Sequence, residues 1–285
     1  MTSDTVKIIE CPRDAMQGIR HFISTEKKVT YINQLLKVGF HSIDFGSFVS
    51  PDMIPQMADT AEVLEKLNTT DSLSKLIAIV ANERGATEAC SHAPIQALGY
   101  PFSLSETFQQ RNTNASISDS YDRVKKIADT CNRNNKELII YLSMGFGNPY
   151  GDAYDPDIVE SWIDQLQQLN INTFMLSDTI GVANPELVGY LFTRLHIAFP
   201  GLEIGAHFHT APHNWLEKVE AAYAHGCRRF DSALKGYGGC PMAKDELIGN
   251  MPTENLLNFF KPAQHHLNMT EFENALRMVP AIFTP

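Results

Sequence analysis

The stretch EIGAHFHTAPHNWLEKVEAAYAHGCRRFDSAL, residues 203–234, carries the pattern that decides the fold. Residues 203–209 read as a strand that runs into a His-x-His pair and stops before Pro212. Residues 212–226 have helical spacing, and RRFDSAL (228–234) reads as a strand again. A strand, a helix and a strand in that order form a crossover unit, which parallel neighbours require. Side chains alternate along a strand, so His207 and His209 share one face while Phe208 points to the other. Two imidazoles on one face can share a metal ion, although histidines also serve as hydrogen-bonded interior residues. Both would sit at a strand's carboxyl end, where α/β enzymes keep their chemistry.

Outward from this unit, the same alternation fills the chain. Strand candidates are 6–11, 41–48, 75–82, 95–102, 137–145 and 173–178, ahead of the two already read. Helix candidates include a segment opening at Ser24-Thr25, then 55–67, and SISDSYDRVKKIADTCNRN with Ser118 or Asp119 as N-cap. Further candidates are 156–169, 185–199, 212–226 and roughly 242–260. Eight strand–helix pairs predict a closed (β/α)8 TIM barrel. A doubly wound sheet is weaker, because no GxGxxG follows the first strand. No interior linker appears, so residues 1–285 read as one domain with a helical tail over 261–285.

Composition narrows the function classes. With 285 residues, 44% hydrophobic and 20% charged, the chain has the make-up of a soluble globular protein with a sizeable core. Net charge is −10 without a Lys/Arg block, which argues against a sequence-independent grip on nucleic acid. No eighteen-residue apolar run predicts a membrane span. Five scattered cysteines without a CxxC argue against a disulfide framework and fit a reducing cytoplasm, as does an N-terminus without a leader pattern.

A barrel should collect its reactive residues at the carboxyl ends of different strands. Arg13, Asp14 and Gln17 follow the first strand, Asp44 lies near the end of the second, and Asn82 ends the third. Ser143 ends the fifth, Asp178 and Thr179 the sixth, the two histidines the seventh, and Gly238-Gly239-Cys240 follows the eighth. Asp14, His207 and His209 supply a carboxylate and two imidazoles, a set that suits a hard divalent cation, zinc or iron alike. Arg13 offers a planar cation for a developing enolate or carboxylate, or else a salt bridge within the barrel. Cys240 lies in a Gly-rich loop, where a thiol can move a proton; Cys11, Cys90, Cys131 and Cys227 read as small buried hydrophobes.

Taken together, ECPRDAMQ (10–17), GSFVSPDMIPQMADTAEVL (46–64), LSDTIGVANP (176–185), GAHFHT (205–210) and GYGGCPMAKDELIGN (236–250) resemble the 3-hydroxy-3-methylglutaryl-CoA lyase family. The resemblance spans about residue 6 to about 260. Its SFVSP and GGCP motifs belong to the lyase branch, whereas Arg-Asp and His-x-His are shared with related aldolases and condensing enzymes. It implies magnesium or manganese held by Asp14, His207, His209 and Asn250. It also implies Arg13 at the enolate oxygen, Cys240 as a catalytic loop thiol, Gln17, Asp178 and Thr179 in the active site, and Arg20 and Asn82 near coenzyme A. The partner implied is an acyl-CoA in leucine breakdown, cleaved to acetyl-CoA and acetoacetate with Asp14 or His207 as base, and a homodimer is compatible with it.

The chain departs from the family pattern near the site. Asp44 stands where Glu is usual, Ala15 replaces Gly, and Thr210 replaces Asp. The Glu10-Cys11-Pro12 segment is one residue shorter, and the segment from Cys240 to Asn250 is one longer. Two enzyme readings follow, a divergent lyase or a relative acting on another acyl-CoA or 2-oxo acid. A binding protein with a decayed site is disfavoured by the retained Arg13, Asp14, His207, His209 and Cys240.

Overall fold

The computed structural model describes residues 5–239 and 248–284. Eight parallel strands follow one another around a closed barrel. They are β1 (Lys7–Glu10), β2 (Ser42–Ser47), β3 (Lys75–Ile79), β4 (Ile95–Ser103), β5 (Glu137–Ser143), β6 (Thr173–Asp178), β7 (Glu203–Phe208) and β8 (Arg229–Ser232). Each falls within or beside its expected segment. Closure comes from β8 pairing with β1, with Ile9 beside Asp231 and Glu10 beside Ser232.

Strand alternation sorts side chains into two cores. Outward residues such as Leu98, Tyr100 and Phe102 pack against the helices. Ile9, Ile77, Ile79, Ala97, Ile139, Tyr141 and Met175 fill the barrel itself. Gly99 also faces inward, and a Cβ there would lie 2.5 Å from Ile79 Cδ1 and 2.8 Å from Tyr141 Cε2. Glycine at this position is what lets both neighbours share the layer.

Several helix boundaries differ from expectation for identifiable reasons. The helix Thr25–Val38 starts at Ser24 as predicted and ends on Gly39 in the left-handed region. The helix Ile117–Arg133 is capped by Ser116, not Ser118 or Asp119, because Ser116 and Asp119 form a reciprocal capping box. After β7 the helix is Trp215–Ala224, three residues later than Pro212, since Asn214 Oδ1 accepts from the Ala211 N–H and holds a turn there. Helices Pro12–Gln17, Glu83–Ser91 and Glu106–Thr113 have no counterpart among the helix candidates. Of the 242–260 candidate, residues 242–247 lie outside the described residues and Thr253–Phe259 is helical. Among the described residues, no helix is long and apolar enough to cross a membrane.

The tail helix Met269–Phe283 packs on Thr25–Val38. Gln34 Nε2 donates to Glu271 Oε2 at 2.7 Å, and Tyr31 meets Phe283 edge-on with ring centroids 5.9 Å apart. Glu10, at the end of β1, ties the far segment of the chain to the barrel. Its carboxylate accepts from Thr253 Oγ1 at 2.6 Å and from the Leu234 N–H at 2.8 Å. Burial pushes its pKa from the ordinary 4.5 up to about 8, against the pull of those two hydrogen bonds.

The folded chain therefore holds this proton where the unfolded chain releases it. The stability it contributes is full below about 4.5 and is lost as pH rises toward about 8. Glu10→Gln keeps the shape and can donate to Thr253 Oγ1, which has Ser232 Oγ 3.0 Å away as a further partner. The melting temperature of the variant relative to the parent chain is expected to climb between about pH 5 and about pH 8 and then level off. A difference that does not change with pH would refute this account of Glu10.

Candidate metal centre and active site

The short helix Pro12–Gln17 begins directly after β1, with Pro12 at its first position, where a missing N–H costs nothing. This turns Arg13, Asp14 and Gln17 toward a cavity of about 140 Å³ at the carboxyl end of the barrel. His207 and His209 reach the same cavity from β7, and Thr179 from the end of β6. Its apolar wall includes Val49, Ile54, Ile79, Pro101 and Phe108.

One ligand atom each from Asp14, His207 and His209 lie within 4.8 Å of one another. His207 Nδ1 is 3.0 Å from Asp231 Oδ2 on the neighbouring strand β8. A carboxylate can only accept, so the proton sits on Nδ1 and the Nε2 lone pair is left for a metal. Burial opposes charging of His207, but the Asp231 bond and the charges of Asp231 and Asp14 outweigh it and its pKa is raised. Burial, together with neighbouring His207, pulls His209 down to about 4, which keeps that imidazole neutral. Asn250 Nδ2 donates to Asp14 Oδ2 at 2.6 Å and to the Tyr237 carbonyl at 2.9 Å. The donor set, one carboxylate and two imidazole nitrogens with an amide beside them, fits a divalent cation.

Arg13 is clamped by carboxylates. Its Nε donates to Asp44 Oδ2 at 3.0 Å and its Nη2 to the same oxygen at 2.5 Å, while Nη1 reaches Asp14 Oδ1 at 3.0 Å and Gln17 Oε1 at 2.9 Å. Gln17 Nε2 in turn donates to Asp14 Oδ1 at 2.6 Å. Burial raises the Asp44 pKa to about 6, with Arg13 working the other way. Burial also disfavours charge on Asp14, yet Arg13 and the two histidines prevail and its pKa is lowered.

The residues expected from sequence thus separate. Arg13, Asp14, Gln17, Asp44, Thr179, His207, His209 and Asn250 come together. Arg20 is exposed and lies off the cavity wall. Asn82 accepts from the Gly85 N–H at 2.9 Å as the cap of Glu83–Ser91, and it too is off the wall. Asp178 turns away to a fully buried ion pair with Lys218 at 2.7 Å. Cys240 lies outside the described residues.

Two residues with clear roles are missing from the sequence-based set. Asp231 has a signal that could have found it, as the one acid in the β8 segment, two positions from Arg229 on the same face. Lys218, inside WLEKVEAAYA, carries no such signal, since it looks like an ordinary helix-surface charge. Its Nζ donates to Asp178 Oδ2, to Gly181 O at 3.0 Å and to His209 O at 3.3 Å, so it anchors the backbone of a candidate ligand.

The HMGL-like family profile matches residues 5–279. A hydroxymethylglutaryl-CoA lyase of Pseudomonas mevalonii is 34% identical over 253 residues, covering 88% of this chain and 83% of that protein. A Pseudomonas aeruginosa 3-hydroxy-3-isohexenylglutaryl-CoA/hydroxy-methylglutaryl-CoA lyase is 31% identical, covering 92% and 86%. Among solved structures, an HMG-CoA lyase from Acinetobacter baumannii in complex with coenzyme A and 3-methylmalate superposes with a TM-score of 0.91 at 30% identity, covering 99% of this chain and 92% of that one.

Two outcomes follow from the site's contacts. Asp231→Asn, which loses the carboxylate acceptor for His207, is expected to weaken divalent-metal binding by about ten- to a hundred-fold in calorimetry; unchanged affinity would remove Asp231 from this role. Lys218→Met strands a buried carboxylate and is expected to cost about 3–5 kcal/mol in denaturant unfolding. A loss below about 1 kcal/mol would mean that the pair is not what holds this corner.

Proposed function

The chain belongs to the HMGL-like family, and from that premise we propose that it is a metal-dependent carbon–carbon lyase that cleaves 3-hydroxy-3-methylglutaryl-CoA to acetyl-CoA and acetoacetate. The observation that carries the reading is the convergence of Asp14, His207 and His209 beside Arg13 at the carboxyl end of the barrel. Magnesium or manganese would be held by those three residues with Asn250. Bound there, the ion supplies Lewis acidity that lowers the pKa of the substrate's 3-hydroxyl.

The chain's own residues account for the proton and charge movements. His207 has Nδ1 bonded to Asp231 and offers Nε2 as a ligand, so Asp14, kept ionised by Arg13, is the better base for the 3-hydroxyl proton. As that proton leaves, the C3 carbinol becomes the ketone of acetoacetate and the C2–C3 bond breaks. Its electron pair passes into the thioester as an enolate, whose oxygen Arg13 stabilises. Cys240, matched by its GGCP motif, returns a proton to C2 and completes acetyl-CoA. Asp44 does not touch substrate in this scheme. It fixes the plane of the Arg13 guanidinium through three hydrogen bonds.

Gln17 and Thr179 on the cavity wall bind the substrate's polar groups. Arg20, Asn82 and Asp178 would serve the active-site rim or the coenzyme A moiety, as the family resemblance implies. Leucine breakdown in the cytoplasm is the setting proposed for the reaction, and residues 1–285 are read as one domain. A second reading, cleavage of a homologous acyl-CoA with a larger 3-substituent, is favoured by the apolar wall of Val49, Ile54, Ile79 and Phe108. The Pseudomonas aeruginosa relative is named for two such substrates.

Release of acetoacetate and acetyl-CoA is expected with magnesium or manganese, to vanish with chelator and to return on adding excess metal. Arg13→Gln is expected to lower kcat by about a hundred- to a thousand-fold, and Cys240→Ala to lower turnover as well. Full activity in chelator would overturn the reading. Turnover confined to a larger 3-alkyl analogue would select the second one.

A further inference from the structure

Below His207 the barrel interior contains an arginine that the reaction does not use. Arg229 and Asp231 are two positions apart on β8, so both side chains point into the barrel, and they are 1% and 3% exposed. Gly205 on β7 makes the space: a Cβ there would lie 3.0 Å from Arg229 Cγ and 2.6 Å from Met175 Sδ. Arg229 Nη1 donates to Glu203 Oε2 at 3.1 Å, toward the bottom of the barrel. Among the described residues its Nε and Nη2 have no partner, and neither do Asp231 Oδ1 and the Tyr141 hydroxyl, all four atoms being buried. Asp231 Oδ2 meanwhile holds His207.

These four atoms are chemically complementary. Arg229 offers N–H donors, Asp231 Oδ1 accepts, and a tyrosine hydroxyl does either. Burial opposes the Arg229 charge, yet Asp231 and Glu203 are close enough to raise its pKa overall. Tyr141 points into the same interior, its ring edge-on to that of His207 with centroids 5.7 Å apart. No direct hydrogen bond or ion pair joins Arg229 to Asp231 among the described residues. A buried group left unpaired bears its full desolvation cost, and a polar interior with two to four partners is where ordered water resides.

We propose that ordered water fills the barrel between Arg229, Asp231 and Tyr141, and that through it Arg229 acts as a positioning residue, holding the Asp231 carboxylate against His207 and so orienting the imidazole for metal binding. The proposal rests on the metal-lyase reading for its consequence but not for its geometry. A cation under the site would by charge alone repel a metal ion, so a pure Coulomb effect and a positioning effect have opposite signs.

The test is manganese titration of the chelator-treated full chain by calorimetry, with imidazole nitrogen NMR on the metal-free protein. Arg229→Met is expected to weaken manganese binding about tenfold and to convert His207 from a single Nδ1–H tautomer to a mixture, with Arg229→Lys recovering part of both. Unchanged or tighter manganese binding with an unchanged tautomer would overturn the proposal, whatever happens to the melting temperature. If the wild-type chain binds no manganese while Arg229→Met still scrambles the tautomer, the metal reading falls and the positioning role stands. Should Arg229→Met fail to fold, a high-resolution crystal structure of the parent chain decides. Water within hydrogen-bond distance of Arg229 Nη2 and Asp231 Oδ1 supports the proposal, and a dry interior overturns it.

Discussion

The guanidinium of Arg13 is held between two buried carboxylates, and the rest of the site depends on how it divides itself between them. Asp44 takes two of its nitrogens and Asp14 a third. Removal of the arginine would leave two carboxylates facing each other out of water, a state relieved only by protonating one of them. With Arg13 present, the more deeply buried Asp44 rises to about 6 while Asp14 falls below its ordinary value. Asp14 is therefore held as the anion of the pair, beside the two imidazoles. Counting Asp231, three carboxylates against one guanidinium leave two negative charges around the cavity, with Arg229 and Glu203 offsetting one another beneath it. That is the charge a divalent cation carries, and the electrostatics of the site point to the same ion as its donor atoms do.

Barrel closure is what brings these groups together. Asp14 follows the first strand, and the histidines and Asp231 belong to the last two, at opposite ends of the chain. Because β8 pairs with β1 and also with β7, they occupy three consecutive staves. An open doubly wound sheet with the same elements would not need to join its first strand to its last. The active site is thus a consequence of closure as much as of the residues at the strand ends.

Closure also separates what is legible in the sequence from what is not. All eight strands are legible because each is a short apolar run bounded by polar or turn residues, and the period of two is enough to put His207 and His209 on one face. Arg13, Asp14 and Gln17 are legible as a group because they follow the first strand directly, although the short helix that presents them together is not legible. Helix Glu83–Ser91 is obscured by Gly85, Thr87 and Ser91, which weaken helical propensity, so the capping role of Asn82 is not legible beside its place at the end of β3. Asp178 and Thr179 are adjacent, yet only Thr179 faces the cavity. Their directions are set by a turn after β6 and by a buried Lys218 on a later helix, and neither is local to the pair.

The tail is coupled to the same site. Phe283, at the end of the last helix, stacks on Tyr237 with ring centroids 4.4 Å apart. The Tyr237 carbonyl accepts from Asn250 Nδ2, whose other contact is Asp14. Both amide donors of Asn250 are therefore committed to acceptors, and a flipped amide would set its oxygen against a carboxylate and a carbonyl. The amide oxygen is the atom left over, and it is also the only atom of that group with lone pairs to offer a cation. It is the atom that the ligand role proposed for Asn250 would use. Packing of the C-terminal helix against Thr25–Val38 contributes to the site through the Phe283 ring that stacks on Tyr237.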